Sequence, residues 1–174
     1  MGLPQPTEAA PFYFTYIDRI SGDNILEVMK AQLDETVGFL AGISEERSLY
    51  RYAPDKWSIR QVINHVNDTE RVFLFRAMWF ARGFSDPLPS FDQNIASNAA
   101  QADEHSLASY AQEFRNVREA TLSLFWNLPL EAWTRRGVAS GNAVTVNALA
   151  YIIAGHVAHH ITILRERYLP RSRD

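Results

Sequence analysis

The sequence predicts an all-α protein, a four-helix bundle, on three observations. Four segments, about 24–41, 58–82, 104–127 and 144–168, carry apolar residues at helical spacings of three and four. They are similar in length and each has one apolar side, as helices around a shared core do. The chain has 174 residues, 47% of them hydrophobic, which is the size of one domain with a buried core. No internal repeat or composition shift divides it, so residues 1–174 read as a single domain.

Residues 1–22 hold scattered prolines and the aromatics Phe12, Tyr13, Phe14 and Tyr16, and read as an ordered lead-in lying on the domain. Ser21 or Asp23 can cap the first helix, whose stripe is Leu26, Met29, Leu33, Val37 and Leu40, with Gly42 as its stop. A polar stretch with Pro54 leads to Ser58 and Gln61, the spacing of a capping box. The second helix then carries Val62, Val66, Thr69, Phe73, Ala77 and Phe80 on one side. Phe84 to Gln101, with Pro87 and Pro89, is a long crossover between helices two and three. It is longer than bundle connections usually are, so it is expected to cross the bundle or roof a pocket, with Asp92 in reach of a site. Leu107, Ala111, Phe114, Val117, Thr121, Leu124 and Leu128 mark the third helix, which Pro129 stops. Leu130 to Asn142 reads as a second loop. Thr145 is the expected cap of the fourth helix, which runs to about Tyr168 before Pro170.

A net charge of -3 gives no electrostatic reason to expect a nucleic-acid or membrane-surface partner, since such binders usually carry a basic face. Without cysteine, any metal must be held by His, Asp or Glu. The N-terminus lacks the basic and apolar regions of a secretory signal, and no apolar run approaches the roughly 20 residues of a membrane span. A soluble, cytoplasmic protein is expected. No P-loop, G-x-G-x-x-G or G-x-S-x-G pattern offers an anchor for a nucleotide or a serine nucleophile.

Three of the five histidines lie within His156 to His160. Leu149, Ile153, His156, His160 and Leu164 form one helical stripe, so two imidazoles stand where leucines belong. Residues four apart have Cβ atoms about 5–6 Å apart, close enough to share an ion. His65 faces inward from the second helix. Together His65, His156 and His160 could bind one divalent transition metal and leave a position for water or substrate. The ligand set suits zinc or nickel, with iron, manganese and copper as further candidates. The alternative is three hydrogen-bonded core histidines. His159 lies one position off the stripe, as a flanking residue, and His105 reads as a surface residue. Asp68, three residues after His65, is a candidate proton acceptor or orienting group, or else a partner of Arg71. The four tryptophans read as packing, and the fifteen arginines, set against two lysines, as solvated surface or the lining of an anionic pocket.

The stretch Tyr52–Glu70 (YAPDKWSIRQVINHVNDTE), the segment from Arg76 to Gly83, Pro87-Leu-Pro with Phe91-Asp92, and Ala154–Tyr168 (AGHVAHHITILRERY) resemble the DinB-like, YfiT-like proteins in the same order over nearly the whole chain. The resemblance implies an up-up-down-down style bundle, often a homodimer, with a divalent metal on three histidines matched here by His65, His156 and His160. It also implies kinship with transferases and isomerases in which a metal activates a low-molecular-weight thiol. The function expected is therefore a metal-dependent small-molecule transferase or hydrolase that activates a thiol or water. A non-catalytic metal-binding stress-response protein acting through a dimer surface is the alternative.

Overall fold

The computed structural model describes residues 2–169; Met1 and residues 170–174, among them Pro170, Arg171 and Arg173, lie outside it. The long helices are α2 (Ile25–Ala41), α3 (Ile59–Ala81), α5 (Leu107–Trp126) and α6 (Val146–Ile163). Two short ones accompany them, α1 (Phe14–Ile17) in the lead-in and α4 (Gln93–Ala100) in the crossover.

Local signals set most helix starts. Ser58 accepts from the Gln61 backbone while the Gln61 side chain closes the capping box at α3. Thr145 caps α6 through the Ala148 amide. The α2 cap is neither Ser21 nor Asp23 but Asn24, which makes no side-chain capping bond. The third long helix starts later than 104, because extended His105 separates it from a short turn at Ala102–Glu104 and Ser106 caps it through the Ser109 amide. At its far end α6 continues as a π turn, Leu164–Tyr168, and the Tyr168 hydroxyl donates to the Trp57 carbonyl at 2.8 Å.

Two connections hold more structure than expected. Asp92 accepts from the Asn94 and Ile95 amides and starts α4, so it is an exposed cap rather than a site residue. The loop after α5 contains the hairpin β1 (Arg136–Ala139) and β2 (Asn142–Thr145). Its two-residue turn, Ser140-Gly141, has φ of 52° and 75°, positive at both positions as hairpin twist favours. Strands of four residues are too short to show a period of two. Leu88 of the crossover bonds alongside β1 through the Val138 carbonyl and the Ser140 amide.

The helix directions correct the up-up-down-down expectation. Met29 meets Arg118 while Leu40 lies near Leu107, so α2 and α5 run antiparallel. Asn67 meets Tyr110, and Met78 lies near Leu124, so α3 and α5 run parallel. Gln32 bonds to Ala154, and Phe39 lies under Arg165, so α2 and α6 run parallel. Trp57 meets Tyr168 and Phe73 meets His156, so α3 and α6 run antiparallel. The order is up-down-down-up. Parallel neighbours require a connection that returns along the bundle, which is the physical reason for the long crossover between α3 and α5.

Two apolar clusters fill the bundle, one around Phe73, Phe80, Phe125 and Ile153, the other around Leu33, Val66, Phe114 and Ile161. Between them runs a polar layer. There fully buried Arg118 is paired with Glu70 at 2.8 and 2.9 Å and bonded to Gln32, and buried His65 of α3 and His156 of α6 face each other. The span Val146–Tyr168 is, contrary to expectation, long and apolar enough by composition to cross a membrane, but 72% of it is buried inside the bundle. It is hydrophobic all round because α1, α2 and α3 pack on it.

Candidate metal centre

The antiparallel pairing of α3 and α6 brings together three imidazoles. His156 Nε2 lies 3.1 Å from His65 Nε2 and 3.1 Å from His160 Nε2, and one ligating nitrogen from each residue lies within 4.8 Å of the others. His65 and His156 are buried and His160 is half-buried. One sp² nitrogen has a single lone pair, so His156 Nε2 cannot make two full hydrogen bonds here, whatever the tautomers. A cation can engage all three nitrogens at once. Metal–nitrogen bonds of about 2.0–2.1 Å place nitrogens on one ion about 2.9–3.4 Å apart, between right-angled and tetrahedral geometry, which is the separation of His156 Nε2 from each of its two partners. The donor set fits a divalent transition metal.

Burial also holds these groups in the ligating state. Desolvation lowers the pKa of His65 to about 4 and that of His160 to about 3. His156 lies well below the ordinary histidine value, through burial first and then its three histidine neighbours. All three are therefore neutral at pH 7, with lone pairs available. Thr69 Oγ1 is 3.3 Å from His65 Nδ1, one turn along α3, and holds the far side of that ring.

A model of the DinB superfamily matches residues 29–164. The chain belongs to the DinB superfamily. No curated protein matches it. Among solved structures it is similar to YfiT from Bacillus subtilis, with a TM-score of 0.68 and 16% identity over 91% of this chain and 87% of that one. YfiT is described as "a probable metal-dependent hydrolase with an unusual four-helix bundle topology". At that identity the likeness speaks for the fold.

In this DinB superfamily member a cavity of about 180 Å³ opens beside the cluster. His65 and His156 line it with Thr69, Phe73 and Arg76 of α3, Phe12, Tyr13 and Tyr16 of the lead-in, Phe91 and Gln93 of the crossover, and Ser140 of the hairpin turn. The crossover thus borders a pocket, through Phe91 and Gln93 rather than Asp92. Tyr16 meets His156 and His159 edge-on, with ring centroids 5.4 and 5.5 Å apart. Trp57 packs on His65 at 5.0 Å.

The remaining candidates stand elsewhere. Asp68 faces Arg71, at 3.4 Å, and through it Glu113 of α5; it does not line the cavity. Burial raises its carboxyl pKa, and Arg71 opposes that. His159 is half-buried beside Tyr16, and His105 is exposed, with its ring edge-on to Tyr110. Sequence reasoning missed Tyr13, Tyr16, Arg76 and Ser140 as site residues. One local signal pointed to the lead-in: a glycine at position 155, in mid-helix beside His156. A Cβ there would lie 2.2 Å from the Tyr16 carbonyl oxygen, so only glycine lets α1 pack this closely.

Proposed function

We propose that His65, His156 and His160 hold one divalent transition metal, zinc or nickel foremost, and that the protein is a metal-dependent enzyme acting on a small molecule. The reading rests on one observation, three neutral imidazoles with His156 Nε2 3.1 Å from the Nε2 of each of the other two, beside a cavity. A three-histidine site leaves positions for exogenous ligands, and the ion supplies Lewis acidity and a lowered pKa to a water or thiol bound there. The reaction classes this supports are hydrolysis of a small molecule and transfer of a low-molecular-weight thiol.

The chain's own residues shape that chemistry. Thr69 orients the His65 ring. Phe12, Phe73 and Phe91 make part of the cavity wall apolar, which limits water around a substrate. Tyr13 and Tyr16 offer hydroxyl-bearing rings at the same wall, and burial raises the Tyr16 pKa, so its phenol keeps its proton at pH 7.

Elemental analysis of protein purified without a histidine tag, paired with thermal melts before and after chelation, tests this reading. The expected result is near one transition-metal ion per chain, a lower melting temperature after chelation, and loss of bound metal in His160→Ala without loss of helix content. Protein that carries no metal and gains no stability from added zinc or nickel would overturn it.

A further inference from the structure

Arg76 is 4% exposed, yet among the described residues no carboxylate lies within ion-pairing distance of its guanidinium. Its Nη2 donates to the Pro89 carbonyl and the Ser140 hydroxyl, both at 2.9 Å. Tyr13 stands beside the guanidinium, and the Phe73 ring lies 5.7 Å from its Cζ. All of these are neutral. Arg118, the other deeply buried arginine, has Glu70 against it. A buried cation with only neutral neighbours is costly unless an anion completes it, and Arg76 lines the same cavity as His65 and His156.

We propose that Arg76 is the anion anchor of this cavity and that the substrate is a small carboxylic acid, its carboxylate on the guanidinium and its reactive group toward the histidine cluster. This rests on the metal reading above for the second half of that pose only. Both Nη2 hydrogens are donated to Pro89 and Ser140, so the carboxylate is held by a remaining guanidinium N–H in a charge-assisted hydrogen bond. A monoanion balances the single positive charge of the guanidinium. Arg76 also ties α3 to Pro89 of the crossover and Ser140 of the hairpin turn, so three of the segments that frame the pocket meet at its binding group.

The test is titration of the full chain, metal-free and zinc-loaded, with propionate and with its neutral isostere propionamide, followed by calorimetry and by the arginine Nε–Hε signals in nitrogen–proton spectra. Wild type should prefer propionate by about tenfold or more, as a charge-assisted pair requires, and one buried arginine signal should shift with saturation. Arg76→Gln should remove that signal and reduce the preference to within about twofold. Arg76→Lys should retain part of it. The wild-type shift needs no variant, so a poorly folding Arg76→Gln leaves the proposal falsifiable. Equal binding of the two probes, or a preference unaffected in a folded Arg76→Gln, overturns it. Metal content is measured on the same samples. A propionate preference in protein that binds no zinc would sink the metal reading and leave the anion anchor standing, and zinc binding without the preference would do the reverse.

Discussion

Gly155→Ala tests whether the lead-in is pinned to α6 by the absence of a side chain. An added Cβ would lie 2.2 Å from the Tyr16 carbonyl oxygen and 2.5 Å from its carbon, where ordinary contact begins at 3.4 Å. The backbone of α1 must therefore retreat by about 1.2 Å, a displacement typical of overpacked cores that lose about 1–3 kcal/mol. Alanine recovers up to about 1 kcal/mol of helix propensity, so a net loss of about 1–2 kcal/mol is expected. For a chain of this size that lowers the melting temperature by roughly 2–4 °C per kcal/mol. Gly38 is the internal control: it is exposed within α2 and a Cβ there meets nothing within 4 Å. Gly38→Ala should stabilise by a few tenths to about 1 kcal/mol. Urea melts of both variants, read by circular dichroism, give the comparison. Because Tyr16 packs on His156 and His159, Gly155→Ala should also weaken zinc affinity, while Gly38→Ala leaves it unchanged. Equal stabilisation by both substitutions would refute the reasoning, since it would mean that α1 does not depend on the glycine.

Arg118→Met strips the partner from buried Glu70 and should cost about 3–5 kcal/mol, whereas the double variant Glu70→Leu with Arg118→Met should recover much of that loss; additive losses in urea melts would contradict a coupled pair. Glu45 accepts from the Leu107 and Ala108 amides at 2.8 and 3.1 Å and pairs with Arg60, so it caps α5 from a distant segment. Those amide bonds, above all the one from Leu107, hold its pKa below the usual glutamate value. A lowered folded pKa stabilises above the unfolded value and is lost as pH falls through the folded one. Glu45→Gln should thus cost about 1 kcal/mol at neutral pH, by the size of capping effects, and nothing once both states are protonated in acid. A stability difference that stays constant down to that range would dismiss the cap. Asp68→Asn should leave zinc stoichiometry at wild-type level, because Asp68 faces Arg71 and α5; loss of the ion in a folded Asp68→Asn would restore it to the site.

Much of the helical scaffold and the three imidazoles were legible from residues near one another in the chain. A period of 3.6 places His156 and His160 on the buried side of α6, and Ser58 with Gln61 or Thr145 with the Ala148 amide sets a helix start within one turn. Such signals need no knowledge of the rest of the molecule. The helix order was not legible, because up-down-down-up and up-up-down-down bundles share the same stripes and differ only in which apolar sides meet. Nor did local patterns reveal the hairpin, whose strands are too short for alternation, or the cap at Asp92, which competed with a site role in the crossover. Only the tertiary structure brought Tyr13 and Tyr16 of the lead-in, Ser140 of the turn and Arg76 of α3 around the cavity beside His65 and His156. Arg76 lies on a helix whose local pattern does not say whether its charge meets water, a carboxylate or an apolar wall. That depends on segments up to 64 residues away, and burial without an opposite charge is decided where they meet.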